Sequence, residues 1–101
     1  MTGDCDVQGD CVSSKNYPNM YGYRESCSIT ILQDVSVSVG SIFNLGTSSD
    51  HLMINGNTVG DSASVPTSMD SGTTVTWTTD HTMNHAGWQL CFSSTIYIIL
   101  K

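Results

Sequence analysis

Basic residues are scarce in this 101-residue chain, which has 3 Lys and Arg against 9 Asp and Glu and a formal net charge of −6. Nucleic-acid binding depends on clustered basic side chains that displace counterions from phosphates, and docking on an anionic membrane depends on the same charge. We therefore expect neither a nucleic acid nor membrane insertion among its partners.

The common catalytic motifs are also missing, because the sequence contains no GxSxG, HExxH, P-loop or GxGxxG pattern. The histidines His51, His81 and His85 accompany many Ser and Asp residues, but no spacing arranges them as a triad. Asp80, His81 and His85 are candidate metal ligands, although ordinary solvated histidines in a polar loop explain them more simply. We expect a non-catalytic protein without a cofactor.

Helical periodicity is the third absence, since no run of ten or more residues repeats at the helical spacing. Ser and Thr occupy 27 positions and charged residues only 12%, while Val, Ile, Tyr and Trp favour strands. Alternating patterns at Cys27 to Ile31, Val35 to Val39 and Thr73 to Thr78 predict half-buried antiparallel strands. Asn55-Gly56 after Leu52 predicts a hairpin, and 60–72 predicts loops or an edge strand. Seven or more such strands indicate an all-β, two-sheet sandwich.

Four cysteines without Cys-x-x-Cys spacing predict two disulfides and an oxidising, extracellular compartment. Reduced thiols in a cytosolic protein are the alternative, and a zinc site is disfavoured because no tight ligand pair exists. Of the three pairings, we expect Cys11 with Cys27, clasping the turn between them, and Cys5 with Cys91, joining the first residues to the closing strand. Residues 1–5 are no secretory signal, so we expect one to have been removed or to lie outside this chain.

The last residues differ from the rest of the chain. After Ser93-Ser94-Thr95 come apolar side chains that would face both sides of a strand: Ile96, Tyr97, Ile98, Ile99 and Leu100. This segment is far shorter than the about 20 residues of a membrane helix, unless it is the start of a truncated one. We predict a domain at 1–93 and a C-terminal strand or linker at 94–101 that packs in its own chain or in a neighbouring subunit.

Three motifs resemble those of CUB domains and follow in that family's order over roughly residues 5 to 93. Residues 14–18, SKNYP, with a cysteine after them and the strand SITI, resemble SPNYP…CxWxI. Residues 43–56 resemble the acidic loop leading to YDxLxIxxG, and residues 77–91 resemble FxSDxSxxxxGFxxxY. The departures are Lys15 for proline, Ser49 for tyrosine, and differently placed cysteines.

The CUB resemblance implies a jelly-roll sandwich and a ligand-binding or adhesion role. It also offers Cys5 with Cys27 as an alternative pairing, which imitates the family's first bridge. For calcium-binding members it implies a site at one end of the sandwich, to which Tyr17, Asp50 and Asp80 correspond. Calcium needs six to eight oxygen ligands, and the remaining acidic position falls on Gly46, so any site should be weak. Asp50 and Asp80 as polar loop residues are the alternative.

Two functions follow from these features. One is an extracellular structural or adhesion module that assembles head to tail through residues 96–100. The other is a ligand-binding module of a larger secreted or surface protein, reading a protein or a glycan with the loops around Tyr17, Asp50 and Asp80. The two differ in whether the apolar segment finds its place in its own chain.

Overall fold

A computed structural model describes residues 2–22, 24–45, 50–79 and 85–94, which form two antiparallel five-stranded sheets. This confirms the predicted all-β sandwich. The described residues contain no α-helix and one 3-10 turn, Ser62–Ser64, whose N-cap is Asp61. Strand-forming side chains and frequent turn residues account for this architecture.

The strands of each sheet are neighbours in an order that differs from their order along the chain. In spatial order, sheet A consists of β1 (Thr2–Gly3), β4 (Ser26–Thr30), β9 (Thr74–Thr78), β6 (His51–Ile54) and β7 (Asn57–Val59). Sheet B consists of β2 (Asp6–Gln8), β3 (Cys11–Ser13), β10 (Gln89–Ser94), β5 (Val35–Val39) and β8 (Ser68–Met69). The edge strands are therefore β1 and β7 in sheet A and β2 and β8 in sheet B.

The core lies between the sheets and is built from the side chains that the alternation predicted to point inward. Val75, Trp77, Trp88 and Leu90 are all buried, and Phe92 packs against them partly buried. Because side chains alternate across a strand, the intervening residues of β9 and β10 face away from this core. The alternation predicted for β9 is thus confirmed, and β10 shows the same alternation.

The predicted Asn55-Gly56 hairpin joins β6 to β7. Both residues have positive φ, 50° and 82°, as the tight two-residue turn requires. The stretch 60–72 holds the 3-10 turn and β8, which pairs with β5 through Val35 and Ser36. This agrees with the prediction of loops and an edge strand there.

The first residues of the chain connect the two sheets. β1 pairs with β4 in sheet A, and the chain then crosses at Cys5 to sheet B, where β2 and β3 form a hairpin. The turn of that hairpin contains Gly9 at φ 58°. We call Asp6–Ser13 the N-terminal hairpin; the sequence pattern did not predict it, because its strands are only three residues long.

All four cysteines form disulfides, but the pairing that we favoured from the sequence is wrong. The bonds are Cys5–Cys27 and Cys11–Cys91, with Cα–Cα distances of 5.7 and 4.0 Å. Cys11 and Cys91 are directly opposite each other on the adjacent strands β3 and β10. The chain crosses between the sheets at Cys5, beside Cys27 of β4, so Cys5 pairs there, as the CUB resemblance implied.

The last described strand, β10, is the central strand of sheet B. It pairs with β3 through Gln89 to Cys91 and with β5 through Leu90 to Ser94. The segment Ile96 to Leu100 lies outside the described residues, and the domain boundary at 93 remains a prediction. β10 itself, up to Ser94, therefore lies in the middle of sheet B and not at its edge.

Candidate functional site

Three adjacent strands of sheet A end side by side, and their next residues carry the polar groups that the sequence singled out. Ser26 of β4 pairs with Thr78 of β9, and Thr78 pairs with His51 of β6. One residue further out along these strands are Glu25, Thr79 and Asp50. Neighbouring strands lie about 4.8 Å apart, so the backbones of Glu25 and Asp50 are separated by about 10 Å. We call this region the Asp50 end.

Asp50 is a buried carboxylate, only 5% exposed. The hydroxyl of Tyr21, itself completely buried, donates a hydrogen bond to Asp50 Oδ2 over 2.5 Å. Burying a carboxylate is costly unless hydrogen bonds replace those it made with water. The Tyr21–Asp50 pair therefore gives the start of β6 a fixed polar anchor within the core.

Two tryptophan rings pack in sequence next to Tyr21. Tyr21 meets Trp77 edge to face, with ring centroids 5.0 Å apart, and Trp77 meets Trp88 at 5.9 Å. Such edge-to-face contacts stabilise by about 0.5–1.5 kcal/mol beyond the area they bury. The position of Tyr21 is thus determined by packing as well as by its hydrogen bond.

The chain just before β10 closes over these rings. Ser14 is fully buried, and its backbone N–H donates to Trp88 O while its Oγ accepts from Trp88 N. A Cβ at Gly87, which has φ 91°, would lie 1.8 Å from Ser14 Oγ and 3.2 Å from the Tyr21 ring. Only glycine fits so close a backbone approach. His85 O accepts from the Tyr21 backbone N–H, which holds Tyr21 to the same segment.

Glu25 is the second acidic residue at this end, and it is half-buried. Its backbone is tied to Thr79, because Glu25 N donates to Thr79 Oγ1 and Thr79 N donates to Glu25 O. Its Oε1 is buried and has no hydrogen-bond partner among the described residues. Burial raises the pKa of Glu25 and the charges of Asp4 and Asp6 add to this, while a backbone hydrogen bond from Gly22 and the charge of Lys15 oppose it.

Tyr17, another residue of the predicted calcium site, uses its hydroxyl in a contact with the backbone. Its hydroxyl donates to Ile42 O over 2.8 Å and accepts from Ile42 N over 3.2 Å, so it holds the turn at 16–19 against the chain after β5. Asn16 adopts φ 67° in this turn, and the Tyr17-Pro18 peptide bond is cis. The structure brings Tyr21, not Tyr17, to Asp50. Sequence spacing did not single out Tyr21, because tyrosines recur at 17, 21 and 23 in one irregular connection.

The other predicted site residues are placed as follows. Asp80, His81 and Gly46 lie outside the described residues. His51 and His85 are half-buried, His51 in β6 and His85 before β10. In the part of the chain that the structure describes, no three His, Cys, Asp or Glu side chains are grouped so that they could hold a metal ion. The described carboxylates at this end, Asp50 and Glu25, do not by themselves make a calcium site.

Two grooves lie beside edge strands of the sheets. One, of about 260 Å³, lies along β2 and is lined by Asp6, Val7, Gln8, Ser13 and Tyr17. The other, of about 340 Å³, lies beside β7 and is lined by Ile54, Asn55, Asn57, Thr58, Val59, Ser64 and Pro66. Each groove therefore accompanies an edge strand, one in each sheet.

Comparison with known proteins gave no match for this chain among protein-family models, curated proteins or solved structures. The CUB resemblance therefore depends on its three motifs alone. Across the described ranges, no helix has the length and apolar character to cross a membrane. The class established by the structure is a disulfide-linked, two-sheet β-sandwich.

Proposed function

We propose that this protein is a non-catalytic extracellular structural or adhesion module of the CUB type, which assembles head to tail through residues 96–100. Two disulfides fit an oxidising compartment, where such bonds persist. The acidic charge fits a surface that contacts proteins or glycans more readily than nucleic acids or anionic lipids.

The observation that carries the proposal is the position of β10. This strand is hydrogen-bonded on both sides, to β3 and to β5, and Cys91 joins it covalently to Cys11. Residues 96–100 follow directly from this strand in sequence. A segment that binds a neighbouring molecule would thus transmit load into the middle of sheet B. The anchoring bond is Cys11–Cys91, where the sequence had suggested Cys5 with Cys91.

The composition of residues 96–100 supplies the driving force. Each large apolar side chain taken out of water contributes about 1.5–3 kcal/mol, and this segment would present such side chains on both faces of a strand. Strand addition to another molecule can cover both faces, while backbone hydrogen bonds add affinity. Donor and acceptor are different surfaces, so the contact is heterologous and repeats unless it closes into a ring.

Light scattering and electron microscopy on the intact chain and on a chain ending at Ser94 test this function. We expect association that grows with concentration for the intact chain and monomers for the shortened one. The matched control keeps the full length but replaces Ile96, Ile98 and Leu100 by Ser, and should also be monomeric. Monomers in all three cases would overturn the proposal.

A ligand-binding module is the second candidate, and the Asp50 end favours it. Asp50 and Glu25 lie one residue before the first residues of β6 and β4, and Glu25 Oε1 is buried without a partner among the described residues. The CUB resemblance adds Asp80 to this end as an expected ligand. A calcium titration followed by the melting temperature would test it, with Asp50→Asn and Asp80→Asn as variants and Asp34→Asn, near the start of β5, as control. We expect a weak stabilisation that both site variants abolish; no shift, or one they leave intact, would reject the site.

A further inference from the structure

We propose that the edge of β2, to which no strand of the described residues pairs, is the acceptor to which residues 96–100 of a second copy of this chain add as a strand. This inference rests on the proposed function and specifies the surface that it needs. The occupant is the apolar segment that follows β10, and the acceptor is the edge Asp6–Gln8 together with the adjoining groove.

The edge strands of the described sheets differ in length, and this favours two of them as the acceptor. β1 and β8 comprise two residues each, whereas β2 and β7 comprise three. An added strand is held by a row of backbone hydrogen bonds, so a longer edge gives more of them. The comparison is therefore between β2 in sheet B and β7 in sheet A.

The core-facing side chains of these two edges differ in exposure. Val7 of β2 is opposite Val12 of β3, which is 9% exposed, so both valines are on the inner face of sheet B. Val7 is nevertheless 54% exposed. On β7, Val59 is opposite the buried Leu52 and is only 4% exposed. Only at β2 would a further strand cover an apolar side chain that its own sheet leaves in water.

The added strand would also have side chains on the outer face of sheet B, and there is space for them beside β2. Asp6 is opposite Ser13 in the hairpin, so its side chain lies on the other face of the sheet from that of Val7. Asp6 and Ser13 both line the groove that includes Tyr17. As an added strand, the segment would present Ile96, Ile98 and Leu100 on one face and Tyr97 and Ile99 on the other. The three aliphatic side chains suit the inner face beside Val7, and Tyr97 suits the more polar groove, where its hydroxyl can hydrogen-bond.

Charge complements this geometry. Asp6 is the first residue of β2 and Asp10 lies in the turn after its end, and these are two of the nine acidic residues of the chain. Lys101, one of only three basic residues, follows Leu100 directly. An antiparallel strand would bring Lys101 towards Asp6, and a parallel one would bring it towards Asp10. Either orientation pairs opposite charges at this edge.

A complementation experiment tests the acceptor. Val7→Asp should block the edge but keep the donor, and a chain ending at Ser94 should keep the edge but lack the donor. We expect each protein to be monomeric alone and the mixture to form a 1:1 complex by light scattering. Burying an unpaired carboxylate should raise the protein concentration needed for association by about tenfold or more.

The matched control is Thr58→Asp on β7, which should associate as the unmodified chain does. Circular dichroism and thermal melting confirm folding of each variant, and Val7→Ala, with a smaller effect expected, serves if Val7→Asp fails to fold. Association unchanged by both Val7 variants, or lost in Thr58→Asp, would overturn the β2 assignment while leaving head-to-tail assembly intact. Association that persists without residues 95–101 would instead overturn the proposed function.

Discussion

The Asp50 end and the N-terminal hairpin are held in opposite ways. At the Asp50 end, Tyr21, Trp77 and Trp88 are fully buried, and a buried carboxylate has its hydrogen bond. In the hairpin, all of β2 is exposed, and the Cys11–Cys91 bond supplements short strands. Burial stabilises the first region, and a covalent link secures the second.

This difference shows how a small domain can keep an edge open without losing its fold. A strand with little buried surface gains little from the hydrophobic effect, but a disulfide limits its freedom in the unfolded chain. The hairpin can therefore leave Val7 in water and remain in register with β10.

Trp77→Ala should lower the free energy of unfolding by about 3–5 kcal/mol, since it removes a fully buried ring that contacts two other rings. Denaturant unfolding monitored by Trp88 fluorescence measures this loss. Leu32→Ala, at the 85% exposed Leu32, is the control and should change stability by no more than about 0.5 kcal/mol. Similar losses in both variants would show that burial does not distinguish these positions.

Cys11→Ala combined with Cys91→Ala should lower the free energy of unfolding by about 2–4 kcal/mol and loosen the hairpin, because the Cys11–Cys91 bond closes the longer of the two disulfide loops. Cys11 and Cys91 are half-buried, whereas Cys5 and Cys27 are buried. A mild reductant should therefore open Cys11–Cys91 first, as thiol alkylation and peptide mapping would detect. Earlier reduction of Cys5–Cys27 would contradict the assigned difference in accessibility.

Tyr21→Phe should cost about 1–3 kcal/mol, because Asp50 loses a hydrogen-bond donor inside the core. Tyr17→Phe is the matched control, since its half-buried hydroxyl bonds to the Ile42 backbone nearer the surface. We expect a smaller loss there, of about 0.5–1.5 kcal/mol. Thermal or chemical unfolding of both variants gives the comparison, and a larger effect at Tyr17 would reverse the roles assigned to the two tyrosines.

Glu25→Gln should have the smallest effect, and its sign depends on pH. Burial raises the pKa of Glu25, so its contribution to stability is fully present below the ordinary value of 4.5 and is lost as pH rises through the raised pKa. The glutamine side chain is uncharged over this whole pH range. The variant should therefore be slightly more stable than the unmodified chain at neutral pH, with the difference disappearing in acid. Melting curves across this range would refute the assignment if the gain appeared only at low pH.

Much of the fold follows from local patterns. The alternation at Val35–Val39 and around Trp77 gave the correct strands and inward faces, and Asn55-Gly56 gave the correct hairpin. These signals work because the two-residue period of a strand and the positive φ of a tight turn are properties of neighbouring residues. The candidate site was harder to predict from the sequence. Of its three predicted ligands, Asp50 is at the Asp50 end, Asp80 lies outside the described residues, and the Tyr17 hydroxyl is bonded to the Ile42 backbone.

The disulfide pairing shows why the remainder was not predictable. Cys11 and Cys27 flank one turn, which made their pairing the simplest local solution. In the sandwich they belong to different sheets, and each bonds to the cysteine nearest to it in space. Tyr17 and Tyr21 could not be told apart for the same reason. They are four positions apart in one irregular connection, and only the folded path of that connection decides which hydroxyl meets Asp50.

Local sequence patterns specified the longer strands, their inward faces, the tight turn and the oxidation of all four cysteines, because composition and short-range periodicity carry that information. The folded arrangement was needed to show that β10 lies in the middle of sheet B, that Cys11 bonds to Cys91, that Tyr21 holds Asp50 and that Val7 is exposed on the edge strand β2. Each of these depends on the order in which distant strands pair, and strand order is chosen by the burial of both sheets together, which no single stretch of sequence encodes.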